Sequence, residues 1–229
     1  MSTNSDLKCE VIKEDPNQFD LSFKLILVGN SGVGKTCLTI KAIKNFFEDM
    51  YSPTVGFEFL CFHAKINDCI IKLQIWDTCG QEIYRSLINS FYRNSSIAII
   101  AYAIDDMNSF ENLESWINDV KTQSNPDIKI FLIGNKADLE DKREVTKEMG
   151  EKFCSEHNLN LFMETSAKTG FNAENLLMKA AILLYEDYLK NKDRISRPGS
   201  LIDVQNAATL PDEYTEENEE KTKKKGCQC

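Results

Sequence analysis

Histidine is nearly missing from this chain: two occur in 229 residues. The eight cysteines are scattered at positions 9, 37, 61, 69, 79, 154, 227 and 229, with no C-x-x-C spacing among them. That pattern is not a zinc-ligand set, and it is no convincing disulfide framework either, so a reducing cytosol fits. Cationic excess is also lacking. Lys and Arg number 27 against 36 Asp and Glu, a net charge of −9 with a pI near 4.9, which argues against general nucleic-acid binding. No run is long and apolar enough to read as a membrane span, and the polar, mixed-charge start MSTNSDLKCEVIKEDPNQFD does not read as a signal peptide. Ser2 removes the Met-Gly start that myristoylation requires. Internal repeats are absent as well.

What is present is a hydrophobic content of 42% over 229 residues, enough for one domain with a well-buried core plus tails. Strand and helix signals alternate. Strands are predicted at Phe23–Val28, Cys61–Ile66, Cys69–Trp76, Ile97–Ile104, Ile128–Ile133 and Asn160–Met163, the second and third joined by a tight Asn67-Asp68 turn. Helices are predicted over about Lys35–Phe47, Glu82–Arg93, Ser109–Thr122, Thr146–His157 and Asn172–Asn191. This alternation predicts an α/β fold, a mostly parallel six-stranded sheet with one antiparallel hairpin and helices on both faces. The expected partition is a flexible N-terminal extension over residues 1–21, a domain over 22–192 and a tail over 193–229.

The segment GNSGVGKT, Gly29–Thr36, follows the first predicted strand and fits the phosphate-loop spacing G-x-x-x-x-G-K-[ST]. Gly29, Gly32 and Gly34 permit a tight turn and a close approach of backbone to ligand, so successive N–H groups can converge on phosphate oxygens. The helix predicted from Lys35 directs its positive end at the same anion. In such a loop the lysine, here Lys35, reaches the β- and γ-phosphates, and the hydroxyl residue, here Thr36, faces Mg²⁺. A chance glycine turn before a helix is the bland alternative, and the strand before and amphipathic run after count against it.

A second segment, NKAD at Asn135–Asp138, follows the predicted strand Ile128–Ile133, which puts it where open α/β sheets bind ligands. A carboxylate accepts hydrogen bonds and cannot donate them. Guanine offers N1–H and a 2-amino group side by side, matching Asp138, whereas adenine presents an acceptor at N1 and leaves the carboxylate unpaired. Discrimination built this way reaches about 10⁴–10⁵. A third segment, ETSAK at Glu164–Lys168, closes another short apolar run and can complete a base pocket.

With these motifs in order over roughly Phe23 to Lys192, the chain resembles a Ras-superfamily small GTPase with a P-loop GTPase fold. KLQIWDT (Lys72–Thr78), GQE (Gly80–Glu82), YRSLINSFYR (Tyr84–Arg93) and the terminal Cys-X-Cys resemble the Rab branch. The resemblance implies GTP/GDP and Mg²⁺ as ligands, with Ser31, Gly32, Val33, Gly34, Lys35, Thr36 and Cys37 around the phosphates. It implies Asn135, Lys136 and Asp138 at the base, with Ser166, Ala167 and Lys168 completing that pocket and Phe47 against the base edge. Asp77, with Thr36 and Thr54, would surround the metal, the Gly80 N–H would meet the γ-phosphate, and Gln81 would orient the attacking water. Several positions depart from the pattern. Cys79 stands where Ala is usual, Ser31 where Ras has Gly, the stretch KNFFEDMYSPT (Lys44–Thr54) is Ras-like, and VGFEF (Val55–Phe59) replaces the usual Rab IGVDF. Cys79 is expected to be buried and inert. The Rab effector-facing aromatic triad maps to Phe59, Trp76 and Phe91, the last in place of Tyr. No arginine finger in cis is evident, so turnover should be slow without an activating partner.

The tail changes character after RPGS (Arg197–Ser200); Pro211–Glu220 is acidic and poor in large apolar groups and reads as a disordered linker. The chain closes with KTKKKGCQC. Gly226 in the fourth position from the end excludes a C-a-a-X box. The resemblance implies geranylgeranylation of both Cys227 and Cys229, and two chains are what stable anchoring needs. Lys221, Lys223, Lys224 and Lys225 would add about 1 kcal/mol each near an anionic leaflet, opposed by six acids between Asp212 and Glu220. Expected partners are a nucleotide-exchange factor, a GTPase-activating protein, a GDP-dissociation inhibitor, a prenyltransferase with its escort protein, and effectors; no nucleic acid is expected, and the chain should be a monomer. The expected location is the cytosol and the cytoplasmic face of an endomembrane, with a role in vesicle trafficking. Two rivals stay open: a metabolic P-loop kinase or ATPase, against which Asp138 argues, and a GTP-binding scaffold that scarcely hydrolyses, which Gln81 and Thr54 disfavour.

Overall fold

Seven strands among the described residues pair into one sheet, and the chain reverses its direction of travel across the sheet at the second of them. A computed structural model describes residues 7–48, 56–79 and 91–195, with side chains to residue 192. The elements are β1 (Cys9–Ile12), β2 (Leu21–Val28), α1 (Lys35–Lys44), β3 (Phe57–Ile66), β4 (Cys69–Thr78), β5 (Ile97–Ala103), α2 (Met107–Glu111), α3 (Leu113–Gln123), β6 (Lys129–Asn135), a 3₁₀ turn at Glu140–Lys142, α4 (Lys147–Glu156), β7 (Leu161–Glu164) and α5 (Ala173–Ile195). The sheet order is β1-β3-β4-β2-β5-β6-β7. Strands β4, β2, β5, β6 and β7 run parallel, while β3 pairs antiparallel with β4 and with β1. The chain leaves β2 toward β3 on one side and later returns to β5 on the other. The carboxyl end of β2 is therefore the switch point at which such sheets bind ligands.

Every residue of β5, IAIIAYA, is buried, as expected for a parallel strand covered on both faces. Alternation sends Leu25, Leu27, Ile99 and Ala101 into one core with α1 and α5, whose Leu38, Leu177, Ala180 and Ala181 meet them. Ile26, Val28, Ile100 and Tyr102 point the other way, against Trp116, Ile117 and Val120 of α3 and the partly buried Met149 and Phe153 of α4. Caps set the helix limits. The Thr146 hydroxyl accepts from the Met149 N–H at 3.3 Å, and the Asp106 carboxylate from the Ser109 N–H at 3.2 Å, each satisfying an N–H that the first turn leaves open.

The fold class holds, and the strand count is corrected from six to seven. The additional strand, β1, lies in the stretch read as a flexible extension, and it makes a second antiparallel pair. Its signal is faint because CEVI is short and half exposed. Asn67, at φ +56°, supplies the hairpin turn and also anchors this strand, donating from its N–H to the Lys8 carbonyl at 2.8 Å. The helix expected over Ser109–Thr122 is two helices meeting at Asn112, and α1 ends three residues earlier than expected because Asn45 turns left-handed at φ +50°. The helix expected at Glu82–Arg93 falls mostly outside the described residues.

Candidate phosphate- and base-binding site

Gly29 begins the loop at the switch point. Its φ is +138°, and a Cβ there would stand 2.1 Å from the Ala101 carbonyl oxygen on β5, so only glycine lets the chain leave β2 this closely against its neighbour. Gly34, at φ +87°, ends the loop and starts α1, and its Cβ would meet Asn135 Nδ2 at 2.6 Å. Between them Val33 is buried in the first core and Ser31 and Gly32 face outward. That same Asn135 amide donates to the Val33 carbonyl at 2.8 Å and the Gly34 carbonyl at 3.3 Å, tying the loop to the end of β6.

The Lys35 ammonium donates to the carbonyls of Gly29 at 2.8 Å and Asn30 at 2.9 Å. It is 5% exposed, and burial pushes its pKa down to about 8 against the opposing pull of Asp77. A cation held this way at a helix N-terminus, under backbone amides, is built to meet an anion. Cys37 is half-buried on the same helix, and burial pushes its thiol up. Cys79 is buried, as expected from sequence.

The Thr36 hydroxyl donates to Asp77 Oδ2. Asp77 is fully buried near the end of β4, and its Oδ1 has no hydrogen-bond partner among the described residues. Burial pushes the carboxyl up to about 6, with the Thr36 bond and then Lys35 opposing. An orphaned carboxylate oxygen beside a hydroxyl, next to an anion-binding loop, fits Mg²⁺, which takes one or two protein oxygens and completes its shell with waters and phosphate. Among the described residues no three His, Cys, Asp or Glu gather, so a dedicated protein cage is not what this site offers. When bound, the ion would neutralise charge on the phosphates; Thr36 and Asp77 are the described residues that would hold it. Thr54, Gly80 and Gln81 lie outside the described residues.

The base side is assembled from the ends of β6 and β7. Strand β6 runs two residues beyond its expected end, so Asn135 is its last residue rather than the first of a loop. Asn135 Oδ1 accepts from the Thr165 hydroxyl at 3.1 Å. Lys136 follows at φ +64° and its ammonium pairs with the Asp105 carboxylate at 3.2 Å. The Ser166 hydroxyl donates to Asp138 Oδ1, the Ala137 N–H to the Thr165 carbonyl at 2.9 Å, and Ala167 is buried beside them. Lys168 is exposed, and Phe47, past the end of α1, is partly buried against the first core. Behind the pocket the Arg143 guanidinium grips Glu164 at 2.7 Å and Glu140 at 2.7 Å, which joins the turn after NKAD to the start of ETSAK.

Three contributors were not reached from sequence. Thr165 lay inside a quoted motif without a role, Asn30 fell at an unspecified position of the loop spacing, and Trp116 lay within the helix predicted over Ser109–Thr122 with no role assigned. The Trp116 indole donates to Asn30 Oδ1 at 2.8 Å, across 86 residues of chain. Pairing at that separation leaves no local pattern.

A glycine-bounded loop at the switch point, a buried lysine, a Thr–Asp oxygen pair and a carboxylate on the neighbouring loop define a P-loop nucleotide-binding protein of the α/β class. A model of the Ras family matches residues 24–186, more than half of the chain. The chain belongs to the Ras family, and so is a small GTPase of a family that binds guanine nucleotides and, typically, Mg²⁺.

Proposed function

We propose that this GTPase is a Rab-type switch that cycles between cytosol and an endomembrane in vesicle trafficking, anchored by prenyl groups on Cys227 and Cys229. The observation that carries the reading is an aromatic cluster on the sheet. Trp76 of β4 lies 5.2 Å from Phe59 of β3 and 5.2 Å from Phe91 between ring centroids, the three positions of the Rab effector-facing triad. Phe57 bridges them, 5.3 Å from Trp76 and 4.7 Å from Phe91. Phe57 and Phe59 are 48% and 46% exposed, and clustered exposed aromatics of this kind support a partner-binding role.

In this reading Lys35, Thr36 and Asp77 hold the phosphates and Mg²⁺, Asn135 and Asp138 hold guanine, and Thr54, Gly80 and Gln81 sense and process the γ-phosphate. No arginine finger in cis is evident in the sequence, and in this reading hydrolysis is slow until a GTPase-activating protein acts. An exchange factor, a GDP-dissociation inhibitor, a prenyltransferase with its escort protein, and effectors complete the cycle. No helix among the described residues is long and apolar enough to cross a membrane, and the reading assigns anchoring to lipid. Each buried methylene contributes about 0.8 kcal/mol, so losing one of two chains removes most of the affinity.

Cell fractionation with mass spectrometry of the C-terminal peptide tests the proposal. The expected result is prenyl mass on both cysteines, with the Cys227→Ser/Cys229→Ser protein soluble and still binding GTP. Unmodified cysteines on membrane-bound protein would overturn the anchor.

A further inference from the structure

We infer that the Trp116–Asn30 hydrogen bond positions the phosphate loop and sets how long a guanine nucleotide stays bound, an inference that rests on the guanine-nucleotide reading of this site. Asn30 is the second residue of the loop and is 8% exposed. It connects Gly29, locked against Ala101, to the outward-facing Ser31 and Gly32. Both of its polar ends are engaged from outside the loop's own turn. The carbonyl accepts from Lys35 Nζ at 2.9 Å, and Oδ1 accepts from the Trp116 indole at 2.8 Å.

The donor is placed independently of the loop. Trp116 is 2% exposed on α3, and Leu113, Ile117 and Val120 seat that helix against Ile26, Val28 and Ile100 on the second face of the sheet. The indole thus reaches the loop from the face opposite α1. Asn135 holds the other flank through the Val33 and Gly34 carbonyls. The exposed Ser31–Gly32 turn is therefore suspended between two buried tethers, one from α3 and one from β6. A loop ordered before ligand arrives loses less freedom on binding, and the gain shows in the dissociation rate. Without the Trp116 tether, Asn30 is held from beyond the loop only through the Lys35 bond to its carbonyl, and the loop's amides are less firmly aimed.

A buried indole N–H needs an acceptor in any protein, so the competing reading is a core contact with no bearing on the ligand. A double-mutant cycle on GDP dissociation in excess Mg²⁺ separates the two, using Asn30→Ala, Trp116→Phe and the pair together. Each single change should speed GDP release about tenfold, the order expected for one hydrogen bond, and the double variant should release no faster than either. Wild-type rates in Asn30→Ala, or rates that multiply in the double variant, would overturn the inference. Should Trp116→Phe fail to fold, a Trp76→Phe background leaves Trp116 as the sole tryptophan. Its emission should then change when EDTA strips Mg²⁺ and GDP leaves, and Asn30→Ala should abolish that change; an intact response in Asn30→Ala would also overturn the inference. A wild-type chain that sheds GDP as readily as ADP would instead remove the guanine reading itself, and this inference with it.

Discussion

Asp77 is buried beside Thr36, and the role at Mg²⁺ proposed for it would pull on its proton in the direction opposite to burial. Burial holds the carboxyl at about 6, above the value near 4 of an unfolded aspartate. The stability it lends is fully present below pH about 4 and is lost as pH rises through about 6. If Asp77 holds Mg²⁺ as proposed, the ion requires the carboxylate, and below pH 6 it would compete with a proton. The apparent Mg²⁺ affinity of the GDP-bound protein should fall toward tenfold per unit below that point, for one proton displaced. Mg²⁺ titrations of GDP release between pH 5 and 7.5 check this, with Asp77→Asn showing weak and pH-independent retention; an equal slope in that variant would place the titrating group elsewhere. Lys35 and Thr36 were readable as residues because their motif is local. Asn30 gained its role only from Trp116, 86 positions away, and no spacing rule covers that distance.

At the scale of elements, β5, β6 and α4 meet at a junction with no room to spare. Gly134 of β6 faces the Tyr102 ring and Gly150 of α4 faces Phe162 and the Tyr102 hydroxyl, and a Cβ on either would lie 2.7 Å from that hydroxyl oxygen. That oxygen is buried without a hydrogen-bond partner among the described residues, and burial raises the phenol pKa far above its ordinary value. Gly134→Ala should therefore destabilise by about 1–3 kcal/mol through overpacking. Tyr102→Phe alone should be neutral or mildly stabilising, since no bond is lost with the hydroxyl. The double variant should recover part of the loss, because the ring carbon at 2.9 Å remains. Thermal denaturation of the three variants decides; additivity would show that the clash is not with Tyr102. The same scale shows where periodicity stops informing. The strand interiors fell where alternation and apolar runs placed them, while β4 and β6 each continue two residues further, into Asp77-Thr78 and Gly134-Asn135. Their last residues are polar or small because they serve the site, so hydropathy ended the strands too soon. The break at Asn112 between α2 and α3 was hidden for a related reason, since the apolar stripe runs through it.

Over the described residues the fold is a mostly parallel sheet covered on both faces, with the glycine-bounded loop at its switch point and the loops after β6 and β7 beside it. Seven strands and their order were accessible from alternation only in part: β1 pairs through Asn67 and the β3 edge, contacts that exist once the hairpin has folded. The proposed base site was legible as a motif because NKAD is local, and the structure adds the Ser166 hydroxyl that donates to Asp138. In the proposed site that carboxylate, Asp138, chooses the base. A competition titration of GTP against ATP, each with Mg²⁺, reads the choice directly. ATP should bind about 10⁴-fold or more weakly, and Asp138→Asn should shift preference toward xanthosine triphosphate, whose 2-oxo group accepts from the new amide. ATP displacing GTP at equal concentration from the unmodified chain would contradict the account.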